Sequence, residues 1–296
     1  MRVSSRYVYV DAACRAKIER LSEQSNEGWF DLVPLEDPIS FIREQLAAIE
    51  RVEPGDDLYP YIVFGDVTNN CNLRCRHCIN PDWSIATSKR MTLRELDKYV
   101  SLLPLFGNNS FGLSCRMEPL LHPEFIDLVE SLPEHVRRRA SFTSNFAVRK
   151  LKDEFFERIV AAGIDHIRIS IDSLSKLHFE EIRVNAKFDF FEHNIRALSA
   201  KIKEAGRNNV LLTTVVLRQN LREIPALIHD AQEMFPGTSH EVRRPYEPIN
   251  YIADEEWKEK SIIGEDEWAW LVKSIQKMNI PYARASVTNG NIVLSS

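Results

Sequence analysis

Three of the chain's five cysteines fall within eight positions of the stretch NNCNLRCRHCIN, at Cys71, Cys75 and Cys78. Thiolates are soft metal ligands, so a cluster of them points first to metal chemistry. A structural zinc site normally takes four ligands, often as two CxxC-like pairs, and no second pair exists here. His77 adjoins Cys78 directly, which makes it a poor tetrahedral partner. A disulfide would use two thiols and strand the third. A four-iron cluster has four corners, and three thiolates leave one iron open to a ligand that is not protein. An open corner makes a catalyst of a cluster, as an open position does for zinc.

The elements around this loop must hold it at a strand end. Residues 61–68 are β-rich and directly precede the cysteines. Further strands are predicted over 110–115, 140–145, 166–172, 210–217 and 239–244. Helices are predicted over 92–103, with Thr92 and Glu95 as a capping box, and over 122–132, 152–163, 188–206 and 220–235, the last with an internal Pro225. Gly163 and Gly206 stop two of them. Near-continuous apolar strands alternating with helices imply a parallel sheet, curled into a barrel or doubly wound, with its functional site at the carboxyl ends of the strands.

CxxxCxxC in the loop after the first strand of a six-strand βα series resembles the radical S-adenosylmethionine (SAM) superfamily, over roughly residues 61–244. The resemblance implies an α/β fold: a partial (β/α)6 TIM-like barrel over 59–245, a helical N-terminal extension over 1–58 and a small α+β extension over 246–296 similar to a degenerate twitch domain. It implies that Cys71, Cys75 and Cys78 bind a [4Fe–4S] cluster and that SAM chelates the fourth iron. One electron then cleaves the sulfonium, and a 5′-deoxyadenosyl radical abstracts hydrogen from substrate. It places His77 near the adenine. The superfamily's GGEP-like turn is matched in SCRMEPLLHPEF by Glu118 and Pro119, with Arg116 and Met117 in place of the glycines. Glu118 retains a carboxylate for the SAM ammonium. Ser144 and Asn145 of TSN, Ser170 and Asp172 of SID, and Arg183 of the following Ile182–Arg183 pair complete the implied cofactor contacts, Arg183 facing the SAM carboxylate. Cys115, at the end of the second strand of the series, is a candidate hydrogen donor to a substrate radical; Cys14 reads as a small buried hydrophobe.

After residue 245 the pattern changes to a long connection, a helix near 265–278 and a hairpin around Asn289–Gly290. SPASM and twitch extensions carry cysteines for auxiliary clusters at such a hairpin. No cysteine follows Cys115 here, and Ser295 and Ser296 stand at the corresponding ends. The expectation is therefore a single cluster and a reaction neutral at the substrate: rearrangement, elimination, decarboxylation or addition. Arg243, Arg244 and Tyr246 at the mouth are the candidate substrate contacts. Side chains alternate along a strand, so one arginine of the pair should face inward and the other outward. Arginine favours carboxylate or phosphate, so the expected substrate is small, polar and anionic, derived from a sugar, nucleoside or amino acid. Residues 1–58 lack the strand-rich winged-helix pattern of many peptide-modifying relatives. A peptide-modifying enzyme (epimerase or cross-linking), a non-catalytic metal protein on the same scaffold and a transferase of a SAM-derived fragment are the competing readings.

Composition bounds the partners. A net charge of −5 with no long basic stripe argues against nucleic acid. No run of about 18 apolar residues is present, so no membrane span is expected. The absence of an apolar signal region and the odd cysteine count point to a reducing cytoplasm. The implied chemistry also requires a one-electron reductant of the flavodoxin or ferredoxin type.

Overall fold

The computed structural model describes residues 7–10, 31–34, 62–78, 89–101, 110–114, 116–245, 255–278, 284–288 and 291–295. The chain divides into two compact units. In the first, Met1–Tyr61 with Leu102–Asn108, strand β1 (Tyr7–Val10) pairs in parallel with β2 (Asp31–Pro34), Tyr7 opposite Asp31. The sequence reading did not anticipate this pair. The helix expected over residues 37–52 lies outside the described residues.

The second unit, Ile62–Ser101 with Asn109–Ser296, is built on one eight-stranded sheet. Strands β3 (Ile62–Phe64), β4 (Ser110–Gly112), β5 (Ala140–Ser144), β6 (His166–Ser170), β7 (Val210–Val215) and β8 (Ser239–Arg243) lie side by side in chain order, all parallel. The helices that connect them are α1 (Leu93–Ser101), α2 (Phe125–Ser131), α3 (Glu134–Arg137), α4 (Asp153–Ala162), α5 (Lys176–Ile182), α6 (Phe188–Glu204) and α7 (Ile224–Met234). This is the partial (β/α)6 barrel. After α8 (Glu255–Ser261) and α9 (Glu265–Gln276), the antiparallel pair β9 (Arg284–Thr288) and β10 (Asn291–Ser295) joins the same sheet, Ile292 of β10 opposite Val242 of β8. The C-terminal segment thus extends the barrel's sheet and covers the edge of β8. Among the described residues no helix is long and apolar enough to cross a membrane.

Local chemistry explains the boundaries. Thr92 and Glu95 cap α1 reciprocally: the Thr92 N–H donates to Glu95 Oε2 (2.7 Å), and the Glu95 N–H donates to Thr92 Oγ1 (3.3 Å). Helix α4 ends where Gly163 takes φ 69°, a left-handed conformation that costs a residue with a Cβ. Pro225 is not internal. Helix α7 begins at Ile224, so the missing proline N–H falls in the first turn, where no intrahelical partner awaits it. Helices α5 and α8 were missed by the sequence reading; each is only seven residues long, too short for periodicity to separate from a loop. The strands end two or three residues earlier than predicted in β4, β6 and β7. The residues beyond those ends include Ser114, whose hydroxyl donates to the Thr143 carbonyl (2.9 Å), and Asp172.

The core lies between sheet and helices. Phe125, Phe142, Phe156, Phe179 and Phe191 are fully buried; Phe179 and Phe191 stack at 4.4 Å, and Phe125 meets Phe142 edge-on at 5.0 Å. Each such ring contributes about 1.5–3 kcal/mol by leaving water. One buried polar group links this core to the mouth. Asn194 of α6 donates through Nδ2 to the carbonyls of Phe146 (2.8 Å) and Arg149 (2.6 Å), and its Oδ1 accepts the Leu151 N–H (2.9 Å). It therefore fixes the loop that leaves β5, including Phe146 at φ 50°. Asn194→Ala strands these groups away from water and should lower stability by about 3 kcal/mol in urea denaturation. A loss under about 0.5 kcal/mol, the range of ordinary surface changes, would mean that other groups hold this loop.

Candidate cofactor site

The loop after β3 continues the parallel pairing for a few residues before it turns. The Gly65 N–H donates to the Gly112 carbonyl (2.9 Å), and the Val67 N–H donates to the Leu113 carbonyl (3.3 Å). The cysteines follow. Cys71, Cys75 and Cys78 form no disulfide, and the Cys78 N–H closes a tight turn on the Cys75 carbonyl (3.1 Å). The loop is tied down on both flanks. Arg74 Nη1 donates to the carbonyls of Cys71 (2.7 Å) and Leu73 (2.8 Å), while the Arg74 N–H reaches the Val184 carbonyl (2.9 Å). On the other side Asn72 Nδ2 donates to the Ala147 carbonyl (2.9 Å), and Asn145 Nδ2 lies 3.2 Å from Asn72 Oδ1 and 4.0 Å from Cys71 Sγ. Leu73, 1% exposed, anchors the loop in the core.

All three thiols border a cavity of about 190 Å³ at the carboxyl ends of the strands. Burial pushes the Cys71 thiol up to about 12, with the nearby Glu118 charge adding to the effect. Burial likewise pushes Cys75 up to about 12, against the pull of Arg183. Such thiols stay protonated until a metal centre supplies compensating charge. Three cysteines outside any disulfide, on one constrained loop that lines a cavity, fit an iron–sulfur cluster with one open corner.

Glu118 lies on a second wall, 2% exposed. Its Oε1 accepts from the Ser144 hydroxyl (2.7 Å) and the Leu120 N–H (3.1 Å), and its Oε2 accepts from the Asn145 N–H (2.8 Å). Burial lifts its pKa to about 7, more than these donors lower it. The carboxyl is thus oriented but short of positive charge, and an arriving cation would stabilise its ionised form.

Asp172 and Arg183 form the third element. Asp172 is fully buried; its Oδ1 accepts the Val215 N–H (2.9 Å) and its Oδ2 lies 2.7 Å from Arg183 Nη2. Arg183, 6% exposed, closes α5 and borders the cavity near Cys75. His77 Nε2 stands 3.7 Å from Asp172 Oδ2. Burial pushes the His77 pKa down to about 4, so its ring is a neutral flat face on the cavity wall.

Of the residues singled out in the sequence, Cys71, Cys75, Cys78, His77, Glu118, Ser144, Asn145, Ser170, Arg183 and Arg243 meet on this one cavity. Asp172 does not line it. Its carboxylate is engaged behind the wall by Arg183 and Val215, so its expected cofactor contact is corrected to a supporting position. Arg243 faces inward as alternation requires, and Arg244 turns outward, held bidentately by Glu265 (2.5 and 2.7 Å) with its guanidinium 4.9 Å from the Trp268 ring. Arg244 is therefore removed from the substrate candidates. Cys115 and Tyr246 lie outside the described residues. Thr143, the first residue of TSN, also lines the cavity; the sequence reading missed Thr213, whose inward direction is legible from strand alternation with Val215. It also missed Asn220, whose Nδ2 donates to the Asp172 carbonyl (2.7 Å). No local signal marks that residue.

The family model of the Radical SAM superfamily matches residues 66–231. Among curated proteins, the GTP 3′,8-cyclase of Chlorobaculum tepidum is 31% identical over 196 residues, covering 60% of this chain and 54% of that protein. The GTP 3′,8-cyclase of Vibrio vulnificus (strain YJ016) is 25% identical over 169 residues, covering 55% and 48%. The chain spans about half the length of these curated relatives. Among solved structures, Streptococcus suis SuiB bound to its precursor peptide SuiA superposes with a TM-score of 0.59 at 13% identity, over 89% of this chain and 57% of that one. Native anSMEcpe with bound AdoMet gives 0.55 at 16% identity, over 73% and 58%. At these identities the structural likeness is one of fold.

Removing one member of the buried pair leaves its partner's charge uncompensated. Asp172→Ala should destabilise the metal-free protein by about 3–5 kcal/mol in denaturant titration, whereas the exposed pair lost in Arg244→Ala should cost at most about 1 kcal/mol and fade with added salt. Equal effects of the two changes would contradict the burial contrast.

Proposed function

Because the chain belongs to the radical SAM superfamily, whose cofactors are a [4Fe–4S] cluster and SAM, we propose that it is an enzyme that takes a hydrogen atom from a small polar substrate carrying an anionic group. The observation that carries this reading is the convergence of three cysteines outside any disulfide, an oriented acid and an arginine on one cavity. Cys71, Cys75 and Cys78 would hold the cluster. When bound, the cluster and SAM supply one-electron cleavage of the sulfonium and a carbon-centred radical. Glu118, fixed by three neutral donors, suits an ammonium group, and Arg183 suits a carboxylate; the amino-acid end of SAM presents both. His77 offers its neutral ring to the adenine. Ser144 spends its hydroxyl on Glu118 and acts by positioning it. Ser170 lines the cavity as a hydrogen-bonding group for the cofactor, and Asn145, whose Oδ1 accepts the Ala147 N–H (2.7 Å) and whose Nδ2 donates to Asn72 Oδ1 (3.2 Å), acts beside it by holding the cysteine loop. Arg243 lines the cavity and is the candidate for the substrate's anionic group, a choice supported by curated relatives named for a nucleoside triphosphate. Cys115 is proposed as a hydrogen donor to the substrate radical, and an electron donor of the flavodoxin or ferredoxin type would drive each cleavage.

A peptide substrate is the second reading. It is favoured by the likeness to SuiB in complex with a precursor peptide over 89% of this chain.

Anaerobically reconstituted protein should hold about four irons per chain and release 5′-deoxyadenosine from SAM and dithionite. Cys71→Ala, Cys75→Ala or Cys78→Ala should each abolish cluster absorbance, because a methyl group cannot replace a thiolate. Wild-type absorbance in any of the three, or one tightly held zinc in iron-free protein, overturns the reading. Cys115→Ala should leave iron content unchanged.

The arginines separate in the same assay. Arg243→Ala should weaken substrate binding by roughly 2–5 kcal/mol, as for a buried charge contact losing one member, while Arg244→Ala stays near wild type. Unchanged KM in Arg243→Ala removes it from the site.

A further inference from the structure

The two glycine stops that end α4 and α6 build a second cavity, at the other end of the sheet from the cysteines. Gly206 takes φ 60°, and the Arg207 N–H returns to the Ile202 carbonyl (3.1 Å), which closes the last turn of α6 and fixes where the Arg207 side chain starts. That side chain crosses Gly163. A Cβ there would stand 3.3 Å from Arg207 Nη1, so the residue that stops α4 also makes room for the guanidinium. Arg137 and Arg138, at the end of α3, border the same cavity of about 340 Å³, together with Glu134, Gly163 and Arg207. These residues lie a few positions before β5, β6 and β7, which puts the cavity at the amino ends of the strands.

Three guanidiniums meet one carboxylate here. Glu134 is taken by Arg138, whose Nε donates to its Oε1 (3.0 Å). Arg137 Nη1 donates to a neutral group, the Glu130 carbonyl (3.3 Å), while the Glu130 carboxylate is held by Arg158 (2.9 and 2.6 Å). Among the described residues the buried Arg137 Nε meets no acceptor, and the Arg207 guanidinium forms no ion pair. Two cations therefore border one cavity without a bound carboxylate, in a chain whose net charge is −5. The carboxyl end of α4 brings only about −0.5 of partial charge, too little to balance them. A buried N–H without an acceptor costs free energy that an arriving acceptor restores.

We propose that this cavity binds a phosphate dianion, held by Arg137 and Arg207. Guanidinium forks match phosphate oxygens, and two of them balance its two charges. A cavity of this volume falls in the range of small-molecule sites, about 300–1,000 Å³, and leaves room for an organic group esterified to the phosphate. The site stands apart from the cysteine loop and does not depend on the cofactor reading.

Calorimetric titration of the reconstituted full chain with inorganic phosphate and with glycerol 3-phosphate, in about 0.15 M chloride, tests this. The wild type should bind one phosphate per chain. Arg207→Gln and Arg137→Gln should each weaken binding by about tenfold, the size of one lost charge-assisted hydrogen bond. Arg207→Lys, which keeps the charge and loses the fork, should fall between wild type and Arg207→Gln. Arg243→Ala, in the cysteine cavity, should leave phosphate affinity unchanged. Without phosphate, the variants at the second cavity should melt with the wild type; if one does not fold, the other decides. Tighter binding of glycerol 3-phosphate would identify a phosphate monoester as the ligand, and equal or weaker binding would identify free phosphate; both support the site. No saturable binding, binding indifferent to Arg137→Gln and Arg207→Gln, or binding lost in Arg243→Ala overturns the proposal.

Discussion

Asp172 has no exposure to water, yet its carboxylate is paired with an arginine and exerts its charge on the Cys75 thiol. A charge in that position persists only if its neighbours are fixed around it. The Val215 N–H ties it to β7, the Arg183 guanidinium ties it to the end of α5, and Asn220 binds its carbonyl from the turn before α7. The same arginine exerts its charge on Cys75, and the cysteine loop leans on the adjoining backbone through the Arg74 N–H and the Val184 carbonyl. One buried ion pair thus ties together the connections after β6 and β7 beside the thiol loop. Its value lies in placement, since buried pairs add little net stability.

Glu118 is the counterpart on the other side of the mouth, with the opposite electrostatic character. Asp172 has a permanent cation. Glu118 has three hydrogen bonds from neutral donors, and burial leaves it titrating near 7. One carboxylate is structural and already spent; the other is oriented and still responsive to a cation. The thiols share this incompleteness, because burial keeps Cys71 and Cys75 protonated until positive charge arrives. An iron–sulfur cluster and a zwitterionic amino acid supply charge of the kind these walls lack.

The scaffold makes this convergence inexpensive in chain length. Six parallel strands in sequential order bring every βα connection to one end of the sheet, so residues from 71 to 243 meet on a single cavity. The antiparallel pair β9–β10 covers β8, the strand that carries Arg243, and so protects an edge that would otherwise expose unpaired main-chain groups. Arg244, one residue further, is diverted to Glu265 and Trp268. Alternation along an extended chain is enough to give two adjacent arginines different fates.

By itself the sequence determined the thiol loop, the six-strand series and most helix limits, because these depend on local rules: cysteine spacing, hydrophobic period, the Thr92–Glu95 box and the Gly163 stop. It also implied, through matched motifs, that Glu118, Asn145 and Arg183 would stand near the cysteines. Only the tertiary structure decided what each polar group faces. Asp172 and Arg183 read alike as site residues, yet one is sealed behind the wall and the other forms it, since burial depends on neighbours distant in the chain. Asp66, which accepts the main-chain N–H groups of Arg116 and Met117, carries no local mark, because these partners lie 50 and 51 positions away on another strand's exit. Helix α5 and the β1–β2 pair escaped for a related reason: seven- and four-residue elements are too short for period to declare them, and packing or pairing with distant segments selects them.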